Sequence, residues 1–114
     1  MLMHTETVTL DDGTLLDVSV LKRIAVSKVA QALPIRFLRG LARTAESGFS
    51  EIRLHHADPI TPLIVLVEPD KLRSWTVLDG RHRALKLLKA ECRNAPCIVL
   101  TQEECLEALI QADV

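Results

Sequence analysis

Residues 76–88 read T-V-L-D-G-R-H-R-A-L-K-L-L, and the fold follows from how this stretch divides. Trp75, Val77 and Leu78 make an apolar run that stops at Asp79-Gly80. After it, apolar residues recur at helical spacing through a basic segment. The pattern predicts a strand, a tight glycine turn and a helix whose first turn holds Arg81, His82 and Arg83. Gly80 lacks a Cβ, so it can take a positive φ and let a ligand approach the backbone closely. A helix start offers backbone N–H groups ahead of the helical ladder and the positive end of the macrodipole, and both attract an anion. Two arginines and a histidine beside them make phosphate the natural ligand. Asp79 keeps two readings at this stage. It is an N-cap beside a solvated basic turn, or it assists through a Mg²⁺ ion or a substrate hydroxyl.

Upstream, residues 7–10 and 14–24 flank Asp11-Asp12-Gly13 and predict a hairpin with a glycine-containing loop. Ser27 is placed to N-cap a short helical turn through Leu33, and Pro34 fits the first position of a helix ending at Gly48. Pro59 and Pro62 bracket a loop before a strand over 63–68, and Pro69-Asp70 turns the chain into a strand over 74–78. The basic helix should run to about Glu91 and return as a strand over 97–100. A strand–helix–strand unit of this kind implies a parallel pair joined by a right-handed crossover. Thr101 with Glu104 reads as a capping box opening a last helix.

The chain has 114 residues, of which 48% are hydrophobic, enough for one core; residues 1–114 are expected to form a single compact α/β domain with a small mixed sheet and helices packed against it. Phe37, Phe49 and Trp75 are its three aromatics, so aliphatic side chains must build that core. A net charge of −1 supplies no global field toward nucleic acid, leaving local clusters to bind any phosphate. His82, Lys86, Lys89 and Arg93 share one helical face, as do Arg36, Arg39 and Arg43. Lys89 and Arg93 read as the wet side of their helix. Without interleaved aromatics for base stacking, DNA contact is the weaker reading. Cys92, Cys97 and Cys105 lack metal spacing. Cys92, between Glu91 and Arg93, is the one expected to be exposed, while Cys97 and Cys105 sit in apolar runs. His55-His56 reads as a solvated loop, and no metal site is expected. The chain shows no signal-peptide pattern and no long apolar stretch, which points to a cytoplasmic protein with reduced thiols.

The stretch D-G-R-H-R-A after a strand, followed by a helix and then A-P-C-I-V-L, resembles the signature of the ParB/sulfiredoxin superfamily. Asp79-Gly80-Arg81-His82-Arg83 is most similar to the D-G-H-H-R form of ParB-like domains and free serine kinases. Residues 17–24 resemble the family's opening strand, 34–48 its first long helix, 58–67 the strand before the signature, and 101–110 the closing helix. The resemblance implies that this turn binds nucleotide phosphates, ATP or CTP with Mg²⁺. In it Gly80 and the following N–H groups would cradle a phosphate, His82 would donate a hydrogen bond, and Arg81 would reach the same anion or face solvent. Arg83, in an exposed first turn, would neutralise the phosphate bidentately, and Asp79 would be the catalytic carboxylate.

Departures from the family pattern matter as much. Arg81 stands where sulfiredoxin carries its reactive cysteine, so sulfiredoxin chemistry is not expected. The chain ends at Val114, leaving no length for the helix-turn-helix of chromosome-partitioning relatives. Glu51, Asp58 and Glu68 are the acids near enough in sequence to serve as the base that free serine kinases use. Three classes therefore stay open: phosphoryl transfer or nucleotide hydrolysis, a non-catalytic nucleotide switch acting as a homodimer or with a protein partner, and a DNA-backbone-binding or nuclease-related protein of plasmid, phage or chromosome maintenance.

Overall fold

A computed structural model describes residues 6–10, 12–39, 61–67 and 75–110. The described residues begin with a hairpin of β1 (Thr7–Thr9) and β2 (Leu15–Asp17), paired antiparallel with Val8 opposite Leu16. Gly13 takes φ +90 in the connecting loop, and Leu10 N–H donates to Thr14 O at 2.8 Å, closing the turn that the glycine-containing loop predicts. Next come α1 (Val18–Ala25), β3 (Gln31–Pro34), a 3₁₀ turn (Ile35–Phe37) and the two-residue β4 (Leu38–Arg39). Beyond residue 60 follow β5 (Leu63–Val67), β6 (Trp75–Asp79), α2 (Arg81–Lys89), β7 (Asn94–Leu100), α3 (Gln102–Cys105) and a 3₁₀ turn (Leu106–Ala108).

Five strands form one mixed sheet in the order β3-β7-β5-β6-β4. Within it, β7 is parallel to β5 and β4 to β6, while β3–β7 and β5–β6 are antiparallel. The expected parallel pairing of β6 with β7 does not occur. Both edges of β6 are taken, by β5 and β4. β7 therefore joins the far edge of β5 and runs parallel to that strand instead.

Alternation along β5 builds two cores. Ile64 and Leu66 join Val18, Leu21, Leu78, Ile98 and Leu100 on one side, under α1 and the hairpin. Leu63 and Val65 join Leu33, Ile35, Leu38, Val77, Ala84, Ala95 and Cys97 on the other. Both faces of β5 are covered, which is why four of its five residues, Leu63 to Leu66, are buried and its sequence is an unbroken apolar run.

Three expectations fail in the first half. Residues 18–24 are helical rather than extended: the Asp17 carboxylate accepts from Ser19 N–H at 2.9 Å and from Ser19 Oγ at 2.6 Å, capping α1. Val18, Leu21 and Ala25 then fall on one helical face and are buried. Nor does Ser27 open a helical turn. Its hydroxyl donates back to Ile24 O at 3.2 Å, and 31–34 form an edge strand. Pro34 ends that strand opposite Asn94, a place where a missing N–H costs no ladder bond, so the expected helix does not begin there. The remainder of that helix, with Arg43, lies outside the described residues, as do Phe49 and the expected loop at His55-His56.

The capping box at Thr101 is present, with Glu104 N–H on Thr101 Oγ1 at 3.2 Å and Thr101 N–H on Glu104 Oε1 at 3.0 Å. Lys28 Nζ reaches across from the α1 side to Glu104 Oε2 at 2.7 Å and to Val99 O at 3.1 Å. That ammonium and the Thr101 backbone bond hold the Glu104 carboxyl below its ordinary pKa. No helix among the described residues is long and apolar enough to cross a membrane.

Candidate functional site

The predicted strand–turn–helix is present at Asp79-Gly80-Arg81. β6 pairs with β5 through a register shift: Ile64 faces Asp79 while Val65 faces Val77, leaving Leu78 as the extra residue. A bulge bends its strand and re-aims the side chains that follow it, and here the residue that follows is Asp79. Gly80 occupies the N-cap position with φ +101 and ψ +22. That left-handed conformation is the one a side chain rarely tolerates. There is no room for one either. A Cβ on Gly80 would lie 2.6 Å from Leu63 Cδ2 and 2.8 Å from Arg83 Nη2.

α2 begins at once, and its first ladder bond runs from Ala84 N–H to Gly80 O at 2.9 Å. The N–H groups of Arg81, His82 and Arg83 thus lie ahead of the ladder at the positive end of the helix. Ala84, fully buried, anchors this first turn on the β5–β6 face.

Arg83 does not sit as expected. Its side chain is only 20% exposed and folds back over Gly80. Nη2 donates to Asp79 Oδ2 at 3.1 Å and to Pro62 O at 3.2 Å. Arg83 Nε is buried and has no hydrogen-bond partner among the described residues. The guanidinium is therefore part of the wall of the turn, not an exposed arm. Asp79, 13% exposed, accepts this bond in place of capping the helix; the cap position belongs to Gly80, which has no side chain to offer.

Arg81 and His82 are half-buried beside it. The structure thus brings Asp79, Gly80 and Arg83 into direct contact and keeps Arg81 and His82 on the same first turn. Pro62 O and Leu63 complete the cradle, and the sequence carried no sign of them. A backbone carbonyl that accepts a bond across 21 residues leaves no trace in side-chain identity. Glu51, Asp58 and Glu68, the acids nearest in sequence, fall outside the described residues.

At the other end, α2 finishes at Lys89, so Arg93 is past the helix and not on a continuous stripe with His82. Glu91 N–H bonds Leu88 O at 3.0 Å and Cys92 N–H bonds Leu87 O at 3.0 Å, a Schellman stop with Glu91 left-handed at φ +59. Cys92 is exposed, while Cys97 and Cys105 are buried. Burial pushes the Cys97 thiol up to about 12 and the Cys105 thiol up to about 11. No group of three or more His, Cys, Asp or Glu able to hold a metal occurs among the described residues.

No protein-family model matches the sequence, and no curated protein is similar enough to match it. Solved structures do match. The fold is similar to that of the C-terminally truncated chromosome-partitioning protein ParB from Caulobacter crescentus, complexed with CTP-γ-S, with a TM-score of 0.52 and 18% identity. A conserved hypothetical protein from Pyrococcus furiosus matches with a TM-score of 0.44 and 19% identity, over 64% of this chain and 32% of that one. The ParB likeness covers 75% of this chain, which spans about half, 55%, of the ParB chain. At that identity the likeness speaks for architecture, and it agrees with the mixed sheet and its helices: the chain has a ParB-like fold.

Proposed function

We propose that the chain is a nucleotide-binding domain in which residues 79–83 hold the phosphates of ATP or CTP together with Mg²⁺. The observation that carries this reading is Gly80: a left-handed glycine at a helix N-terminus, with no space for a Cβ, bordered by two arginines and a histidine. Its support is the fold shared with a ParB that was solved with CTP-γ-S. The N–H groups of residues 81–83 would take phosphate oxygens. Arg81 and His82 would add charge-assisted bonds from the half-exposed surface. Arg83, held by Asp79 and Pro62, would supply fixed positive charge behind the phosphate.

The donor set fits Mg²⁺ only in its nucleotide-bound form. Asp79 is the single carboxylate in the turn, and Mg²⁺ bound through one carboxylate leaves its other positions to phosphate and water. One bond to Arg83 does not exhaust a carboxylate, which has about four lone-pair sites. Asp79 would then be the residue on which phosphoryl transfer or hydrolysis depends. In a domain that only switches, Asp79 would serve Mg²⁺-dependent binding alone, with no turnover to lose.

The test is a thermal-shift and calorimetric titration with ATP, CTP and their diphosphates, with and without Mg²⁺. A triphosphate should raise the melting temperature of wild type. Arg83→Ala should abolish that binding and also lose about 1–3 kcal/mol of stability, because Asp79 is left half-buried without its donor. Asp79→Asn separates enzyme from switch by its activity. Absence of any nucleotide shift in wild type, or unchanged affinity in Arg83→Ala, would overturn the assignment.

A further inference from the structure

Beyond the end of α2 that is opposite the turn, a cleft of about 470 Å³ opens between the helix stop and the β3 edge. Its lining residues are Pro34, Ile35, Arg36, Leu88, Cys92, Arg93 and Asn94. None of them is shared with the turn, and α2 rises about 7.5 Å, at 1.5 Å per residue, between Arg83 of the turn and Leu88 of the cleft. The volume falls in the range of small-molecule sites.

We infer that this cleft is a second binding site, for a small molecule with one anionic head, a carboxylate or a phosphate, on a short apolar body. Two of its seven lining residues are arginines and none is an acid. The arginines come from different elements, one from the 3₁₀ turn after β3 and one from the loop before β7, and both are exposed where they line the cleft. Arg36 is oriented by the Phe37 ring, with its Cζ 4.7 Å from the ring centroid. Arg93 is fixed at its backbone, where its carbonyl accepts Ile35 N–H at 2.9 Å. Pro34 paired with Asn94 ties the same two walls through the sheet. The cleft is therefore built, not a gap between loose segments.

The apolar half of the ligand has its own surface. Leu88 is 50% exposed on the rim, and Pro34 and Ile35 continue the apolar lining. The C-terminal end of α2 opposes an anion, but weakly. A helix end carries about half a charge against two whole ones. Moreover, the carbonyls of Lys86, Leu87 and Leu88 already accept the N–H groups of Ala90, Cys92 and Glu91.

Cys92 supplies a reporter inside the cleft. It is the exposed thiol, whereas burial keeps the Cys97 and Cys105 thiols protonated up to about 12 and about 11. Alkylation of the native chain by neutral iodoacetamide, followed by peptide mass spectrometry, should therefore read Cys92. Hexanoate, hexyl phosphate and hexanol serve as competitors. The expected result is protection of Cys92 by hexanoate or hexyl phosphate but not by hexanol, and the more protective acid identifies the head group. Arg36→Ala and Arg93→Ala should each weaken that protection about tenfold, the loss of one charge-assisted bond. Circular dichroism checks the fold, with Arg93→Gln as the milder variant. Equal protection by hexanol, no protection by either acid, or protection unchanged in the arginine variants would overturn the inference. The readout needs no nucleotide, so it stands or falls apart from the turn.

Discussion

The two longer helices lie on opposite faces of one sheet and are built to opposite ends. α1 buries Val18, Leu21 and Ala25, and its face completes the core with Ile64, Leu66 and Leu100. α2, one residue longer, buries Ala84 alone and carries Arg81, His82, Arg83, Lys86 and Lys89. A helix with so little apolar face is not held by its middle. It is held at its ends: by Gly80 and the Arg83–Asp79 contact at the start, and by the Schellman stop at the finish. Both proposed sites, the turn and the cleft, occur at those ends. One helix stabilises the fold and the other carries the two proposed sites.

The largest test of this contrast is a pair of truncations. Leu21→Ala, at a fully buried site, should cost about 2–5 kcal/mol in chemical denaturation, whereas Leu87→Ala on partly buried α2 should cost about 1. Equal losses would abolish the distinction. Next in size is Gly80→Ala, which meets Leu63 Cδ2 at 2.6 Å in a left-handed backbone and should lose about 1–3 kcal/mol. Because Arg83 must also yield to the new methyl, nucleotide affinity should fall with it. A Gly80→Ala protein of wild-type stability would show that the start of α2 is loose after all.

A smaller effect tests the α1 side. The Glu104 carboxyl is held below its ordinary value of 4.5 in the folded chain, chiefly by Lys28. Its contribution is thus present above the unfolded pKa and is lost as pH falls through the lowered folded one. Wild type should lose stability below about pH 4.5 more steeply than Lys28→Met, with a difference of about 1 kcal/mol or less at neutral pH. Parallel acid limbs would mean that the pair does not secure this face. The smallest change is a gain. Glu91 holds φ +59 at the C′ position, so Glu91→Gly should stabilise by about 0.5–1 kcal/mol, measured by melting temperature.

Legibility in the sequence followed the same division. The strand–turn–helix at 76–88 was readable because glycine, the basic turn and the apolar run each have a local cause. The capping box at Thr101 and the Gly13 loop were readable for the same reason. The sequence of α1 reads as a strand because Val18, Val20 and Ile24 are β-branched, which masks the i, i+3, i+7 spacing of Val18, Leu21 and Ala25. Pro34 suits a helix start and the end of an edge strand equally well, and only pairing with Asn94 decides between them. In the turn, the residues were foreseen but not their contacts. Arg83 was expected to reach outward because nothing local announces the Pro62 carbonyl behind it.

The closing segment returns to where the chain begins. Leu109 bridges antiparallel to Leu16, and Ile110 N–H donates to Leu15 O at 3.0 Å. The Ile110 amide is thus shielded from solvent exchange only while β2 is in place. Its deuterium uptake becomes a clock for opening of the N-terminal hairpin, read from the far end of the sequence. If the two segments open as one cooperative unit, the Val8 and Ile110 amides should exchange at matching rates under native conditions, while those of β5 lag far behind.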